Sequence, residues 1–408
     1  MATASTPSGS GTHGAVGAGP HLTPGLHPLL FTGIVVASIG GPLALVALQI
    51  PASSETASRV FWVTLGGTVL FLAPMAVWYG YARRIASAGG LTAFVEAAAG
   101  RRVALAQGVL WIVSYALYMV YTIPQVVYEM LPAAVPIPAP AQPFLAVGIV
   151  VAVGGVALLP LRWAVSVAAL LALAQVVLVL ALAGAVLPHP PSARPFSPAL
   201  GAASLATAQA SLFYVCGSLP LFLGSEVRGG ARTVSRGLVA GFAVAAVVVL
   251  IGVFAVTRGG VNGALGIPGQ QLANGVGARR LGLAIGVGAA VSTAVIVLAE
   301  FLAMTRLIHH LFVWPVRPVT AVMAAALVVA TAVTLVNPIG IYDALIKPSL
   351  VALWLSQVIV FAVYPLYRAR LEPGRRGGSL AAPVAAAAVA SALAVFGLVS
   401  VTILPASS

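Results

Sequence analysis

Long apolar stretches punctuated by short polar ones run along almost the whole chain. Stretches of about 18 or more mainly apolar residues, the length that carries an α-helix across a bilayer, fall near 29–50, 60–82, 103–131, 143–161, 163–187, 202–224, 235–257, 281–308, 318–336, 348–367 and 381–404. The pattern predicts eleven membrane-spanning helices, called segments 1–11 in chain order. Residues 1–28, rich in Ser, Thr, Gly and Pro, lack the apolar content to bury a core and read as a flexible polar tail. No Lys or Arg precedes the first apolar run, so a cleavable secretory signal with its basic leading region is not evident and segment 1 is expected to remain as a span.

Two segments are interrupted in the middle by small residues, at corresponding places in the two halves of the chain. Segment 1 reads Ser38-Ile39-Gly40-Gly41-Pro42 at its interruption, and segment 6 reads Phe213-Tyr214-Val215-Cys216-Gly217-Ser218-Leu219-Pro220. Paired breaks of this kind point to the midplane binding site of a secondary transporter with inverted repeats. The second half of a broken helix begins with unpaired N–H groups at its positive end, and these bind a carboxylate without a charged side chain. Gly40 and Gly41, beside Ser38, would let such a ligand approach closely. Around Gly217 and Ser218 the freed carbonyls would receive an ammonium group, with Phe213 and Tyr214 as walls. The competing reading is that Gly and Pro are common in membrane helices, where small residues aid close packing.

Polar positions inside the apolar segments add candidates. In segment 3, Tyr115, Tyr118, Thr122 and Gln125 recur at helical spacing and share one face, which either lines a substrate path or bonds to neighbouring helices. In segment 8, Ala289, Ser292, Thr293 and Glu300 share a face, with Glu300 about 10–12 Å beyond Ser292 and Thr293 at 1.5 Å rise per residue. An ionisable group inside a span is costly and marks function by default, which makes Glu300 the leading proton carrier. The alternative places Glu300 near the cytoplasmic end, paired with Arg306 or another loop arginine. Gln175 is the one strongly polar interior residue of segment 5. Glu226 with Arg228, Arg232 and Arg236 reads as a cytoplasmic ion-pair network rather than a substrate site, His309 and His310 as surface histidines, and Glu129 and Asp343 as outward-side or interfacial acids whose spacing assigns no role.

Composition excludes several classes. Hydrophobic residues make up 61% of the 408 and charged residues 7%, far from the quarter or so charged residues of soluble domains, so the chain is an integral membrane protein. The net charge of +13 then records topology and anionic-lipid contact rather than nucleic-acid binding. With the N-terminus in the cytoplasm, fourteen of the 20 Lys and Arg residues fall on the cytoplasmic side and six on the other, the asymmetry of a protein of the cytoplasmic membrane. Eleven spans then leave the C-terminus outside. A single cysteine, Cys216, excludes an intrachain disulfide and a cysteine-rich metal site. No His-Glu-x-x-His, Gly-x-Ser-x-Gly turn, P-loop or paired intramembrane carboxylates are present, so neither an enzyme nor a cofactor is expected.

Four stretches carry a resemblance. They are Ser38-Ile39-Gly40-Gly41-Pro42; Gly89-Gly90-Leu91-Thr92-Ala93-Phe94-Val95 with Gly100-Arg101-Arg102; Phe213 to Gly217 running on to Glu226-Val227-Arg228 and Arg232-Thr233-Val234-Ser235-Arg236; and Met304-Thr305-Arg306. In order and spacing over roughly 300 residues the chain resembles the amino acid–polyamine–organocation permeases. The resemblance implies an all-α, leucine-transporter-type fold: segments 1–5 (29–187) and 6–10 (202–367) as two inverted repeats, segments 1 and 6 unwound at the substrate, and 381–404 as a peripheral helix. It also implies alternating-access transport of an amino acid or related amine, coupled to a proton or sodium gradient or run as exchange. A sensor or channel on the same fold is the alternative. Sodium-coupled proteins of this fold carry an Ala-x-x-Ser-Thr pattern that supplies a carbonyl and two hydroxyls to sodium; Ala289, Ser292 and Thr293 look like it, and all-oxygen ligands suit a hard cation. Some members place a lysine of segment 5 near that position, and this chain has none. Two further departures are eleven segments in place of twelve, and Ile39-Gly40-Gly41-Pro42 in place of a Gly-x-Gly. Without an acidic residue in either break, the sequence favours a neutral, moderately hydrophobic amino acid over a polyamine.

Overall fold

A computed structural model describes residues 22–39, 41–49, 60–190, 203–259, 267–371 and 381–403. Most of the predicted polar tail and Gly40 of the first break lie outside the described residues. Eleven described helices are long and apolar enough to cross a membrane: α1 (Pro28–Ala47), α2 (Val60–Ala82), α3 (Arg101–Ala134), α4 (Ala139–Leu158), α5 (Leu161–Val186), α6 (Ala206–Glu226), α7 (Gly230–Gly259), α8 (Arg279–Phe312), α9 (Val316–Thr334), α10 (Pro338–Leu371) and α11 (Ala381–Thr402). Among the described residues this is an all-α membrane architecture, in which helical backbone is hydrogen-bonded locally and no sheet edge meets lipid.

Several helices outrun their hydropathy windows. The tenth begins at Pro338 rather than 348, because Asp343 and Lys347 depress the hydropathy of a turn that is helical all the same. Asn337 caps it, accepting a hydrogen bond from Gly340 N at 3.1 Å, as a short polar side chain does for the orphan donors of a first turn. Two short helices were not predicted, Gly90–Ala99 between α2 and α3 and Pro268–Gly275 between α7 and α8. They follow the second span of each half, so the two halves share an element order.

Size sorts residues between interior and lipid. On α5 the small residues Ala164, Ala168 and Ala172 are buried with Gln175, whereas Leu170, Leu173 and Val177 point outward. Lipid tails are as apolar as leucine, so burial of large side chains gives little reward and small residues let helices approach closely. The most enclosed span is α1, with 76% of its apolar window buried against 22% for α9 and α11. It packs against α5, α6, α7 and α8, which puts its broken midpoint at the centre of the molecule. The peripheral α11 lies against α2 and α10, where Gly397 admits the ring of Trp354.

Candidate functional site

Both interrupted segments are interrupted in the structure, in different ways. α1 is helical over Pro28–Ser38, turns at Ile39, and restarts at Pro42 after Gly41, whose φ of +54° favours glycine. A β-carbon at Gly41 would overlap Ser292 Oγ and stand 2.7 Å from Gln175 Oε1. The α6 segment is α-helical to Leu212 and then continues as a 3₁₀ helix over Val215–Glu226, rather than as two α-helical halves. Twelve residues is long for a 3₁₀ helix, a form tighter than the α-helix and poorer in hydrogen-bond geometry, which marks strain or function. The breaks meet: a β-carbon on Gly217 would stand 3.1 Å from Ile39 Cγ1. Ser38 and Ser218, both buried, bond back to the carbonyls three residues earlier, Val35 and Val215, at 3.0 and 3.1 Å.

Two polar clusters lie along α8 beside these breaks. The first holds Ala289, Ser292 and Thr293, all buried. Thr293 Oγ1 donates to Ala289 O at 3.2 Å, and Ser292 Oγ donates to Gln175 Oε1 of α5 at 2.9 Å. The Gln175 Nε2 group is buried without a hydrogen-bond partner. Sequence spacing joined the three α8 residues; Gln175 comes to them only through the packing of α5 on α8.

The second cluster is built around Glu300. Its side chain is fully buried and neither carboxyl oxygen has a hydrogen-bond partner. Tyr115, Tyr118 and Tyr121 of α3 and Cys216 of the α6 break lie within electrostatic reach of it. Trp111, one helical turn before Tyr115, packs its ring tilted against those of Tyr115 and of Phe222 of α6, with centroids 4.2 and 4.4 Å apart, and its Nε1 is buried without a partner. The reading of Glu300 as a partner of Arg306 does not hold. Arg306 Nε instead donates to Glu226 Oε2 at 3.0 Å, in a pair whose side chains are 6% and 13% exposed.

Other predicted positions separate. The Tyr214 hydroxyl shares a 2.8 Å hydrogen bond with Thr68 of α2, and its ring packs on Phe71 and on Phe242 of α7, so it braces those helices rather than walling the Glu300 cluster. Phe213 is half-buried against the core. Along α3, Tyr115, Tyr118 and Tyr121 form a ladder, with ring centroids 6.3 and 5.2 Å apart, that ends 5.4 Å from Tyr342 of α10. Gln125 Nε2 donates to the Tyr342 hydroxyl at 3.3 Å, and Glu129 and Asp343 lie within electrostatic reach of Tyr342. Trp111 and Tyr121 escaped the sequence reading although both sit one turn from a residue it named.

The opposite end carries most of the arginines, and hydrogen bonds and an ion pair link its helices. Gly25 N and Leu26 N both donate to Glu226 O at 2.8 Å, and Arg228 N donates to Leu26 O at 3.0 Å, which ties the start of α1 to the end of α6. Glu226, expected in a network with the loop arginines after α6, thus joins α1, α6 and α8 in one contact. His309 and His310 are not surface histidines: His309 is buried with Nδ1 2.6 Å from Trp314 O, and His310 Nε2 lies 3.3 Å from Glu96 Oε2.

No protein-family model and no curated protein matches the chain. Solved structures do. A manganese transporter from Eremococcus coleocola, in complex with an aromatic bis-isothiourea substituted compound, is similar with a TM-score of 0.59 and 14% identity, over 93% of this chain and 88% of that one. Mhp1, a nucleobase-cation-symport-1 family transporter in a closed conformation with bromovinylhydantoin bound, is similar with a TM-score of 0.55 and 15% identity, over 95% and 94%. At these identities the likeness establishes the fold. The chain has the leucine-transporter-type fold, an all-α membrane fold with an inverted repeat, of which the permeases named on sequence grounds are one group among several.

Proposed function

We propose that the chain is a secondary active transporter of the cytoplasmic membrane that moves an amino acid or related amine by alternating access, with residues 29–187 and 202–367 as its two repeats. The observation that carries this reading is the meeting of the α1 and α6 breaks at Ile39 and Gly217, beside a buried carboxyl, Glu300, that has no partner. Irregular backbone at membrane depth is tolerated only where it is enclosed in protein or lines a cavity, and discontinuous helices in this fold class bracket a substrate. Both solved neighbours are transporters by name, which supports transport over a sensor or a channel. One neighbour is named for manganese. Among the described residues only Cys216 and Glu300 bring His, Cys, Asp or Glu side chains to the breaks, fewer than the four to six ligands of a divalent cation, and this favours an organic substrate.

Two coupling schemes attach to the two clusters. In one, Ala289 O, Ser292 Oγ and Thr293 Oγ1 bind sodium, and Gln175 Oε1 fits the same all-oxygen set. In the other, Glu300 carries a proton. The proton scheme is preferred, because Glu300 is a buried carboxyl with no hydrogen-bond partner, a group costly to keep ionised inside a span without a counter-charge. Uptake of pooled radiolabelled amino acids and amines into proteoliposomes, under separate sodium and proton gradients, tests both. Proton-driven uptake lost in Glu300→Gln and kept in Thr293→Ala is the expected result; sodium-driven uptake lost in Thr293→Ala moves coupling to the first cluster. No flux under either gradient or in exchange mode, from folded protein, overturns the transporter reading.

A further inference from the structure

Resting on the transporter reading above, we infer that the substrate is a small organic cation without a carboxylate, and that its charged nitrogen and a proton take turns on the Glu300 carboxyl. Glu300 sits inside a membrane-spanning helix with neither oxygen hydrogen-bonded, and an ionised carboxylate at such a depth is costly unless a positive charge accompanies it. Among the described residues none is placed to provide such a charge. On α8 itself the nearest cation, Arg306, lies six residues away and is held by Glu226. The groups facing Glu300 from neighbouring helices are neutral ones, Tyr115, Tyr118 and Tyr121 of α3 and Cys216 of α6. The described spans of α1 and α4 hold no titratable side chain, that of α5 only Arg162 at its start, and α9, which also packs on α8, only Arg317 in its first turn. Two partners can therefore complete the site, a proton or a cationic ligand, and they need the same oxygens.

The surroundings select the ligand's chemistry. The Tyr115, Tyr118 and Tyr121 rings lie within electrostatic reach of the carboxyl, with Trp111 packed against Tyr115 and Phe222 behind them, and ring faces attract cations. From there the Tyr115–Tyr118–Tyr121–Tyr342 ladder leads away from the arginine-rich end to an end that also carries Arg258, Arg279 and Arg280, and there the exposed Glu129 and Asp343 are the charged groups within electrostatic reach of Tyr342. Acids at the mouth with neutral rings below them make a path that favours positive charge. The one lysine, Lys347 of α10, turns its Nζ to Thr402 O of α11. A carboxylate has a poor place to sit: the space beside Gly41 is taken by Ser292 Oγ and Gln175 Oε1, and the Ser292 hydroxyl already donates to that amide oxygen.

The exchange balances in atoms and charge. The arriving cation R–NH₃⁺ pairs with the carboxylate formed as Glu300 releases its proton to the same compartment. At the other face the cation leaves and the carboxylate takes up a proton from that side. One proton moves against each monovalent cation, with no net charge transferred and no covalent bond broken other than O–H.

The test uses the full chain in proteoliposomes enclosing a pH-sensitive dye, with radiolabelled phenethylguanidinium, a cation that does not cross bilayers as a free base, and phenylalanine as its carboxylate-bearing counterpart. The expected result is guanidinium uptake driven by an acidic interior, matched one to one by internal alkalinisation and insensitive to a clamped membrane potential, with phenylalanine at least tenfold slower. Acidifying the outside raises the guanidinium KM through proton competition, a readout that needs no variant. Glu300→Gln abolishes exchange and Glu300→Asp retains it. Uptake of phenylalanine but not the guanidinium overturns this inference and leaves the transporter reading standing, whereas transport of neither overturns both. Guanidinium uptake that follows membrane potential without proton movement, or that survives Glu300→Gln, also overturns it.

Discussion

Ser292 and Gln175 illustrate how one hydrogen bond sets the character of a buried position. Ser292 Oγ donates to Gln175 Oε1 at 2.9 Å, and the amide's Nε2 already lacks a partner. Ser292→Ala leaves both ends of the amide unpaired and is expected to destabilise the protein by about 1–3 kcal/mol, since an orphaned buried polar group costs more than a hydrogen bond nets. Ser292→Ala combined with Gln175→Leu removes both partners and is expected to recover most of that loss. Thermal melts of the two variants in detergent check this; equal loss in both would show that packing rather than the hydrogen bond matters. At this scale the sequence was legible where one helix face carried the signal. Ala289, Ser292, Thr293 and Glu300 share a face of α8 by spacing alone, but Gln175, 117 residues earlier than Ser292, has no signature that ties it to them.

Among the elements, α6 does the most that its sequence did not announce. The Gly217/Pro220 break predicts an interruption, and the structure answers with a 3₁₀ helix from Val215 to Glu226 that ends in the buried Glu226–Arg306 pair and the backbone contacts to Gly25 and Leu26. Removing one partner of a buried ion pair strands the other charge, at about 3–5 kcal/mol. Glu226→Gln is therefore expected to release the arginine-rich end of α6 from α1 and α8. Cys216, the single cysteine and half-buried at the break, reports this directly. Its alkylation by a maleimide applied to the arginine-rich side should be slow in the wild type and at least tenfold faster in Glu226→Gln. An unchanged rate would mean that the pair does not seal this end. Ion-pair partners were not readable from the chain, because Glu226 has three arginines within ten residues and its partner lies 80 residues on.

For the molecule as a whole, orientation is the property to measure. Arginines gather at one end, where Arg83, Arg84 and Arg368 border one cavity and Arg232 and Arg236 a second that shares Arg83 and Tyr79. Retained positive charge marks the cytoplasmic side. With Cys216 replaced by serine, a cysteine at Arg102 is expected to react with an impermeant maleimide only from inside the cell, and one at Val336, 88% exposed between α9 and α10, only from outside. The reverse pattern would invert the orientation and move the Glu129 and Asp343 mouth to the cytoplasm.

The sequence by itself determined that the protein lives in a membrane, how many times it crosses, where two of its helices break and which residues share a helix face. Hydropathy, helical periodicity and the conformational limits of Gly and Pro act over a few turns of one chain segment, so they are complete in the linear text. Tertiary structure alone decided which buried polar groups meet. It gave Ser292 to Gln175, Arg306 to Glu226 and Tyr214 to Thr68, and left Glu300 unpartnered among the rings of α3 and beside Cys216. In a low-dielectric interior the environment of a charge is set by groups within a few ångströms in space, whatever their distance along the chain.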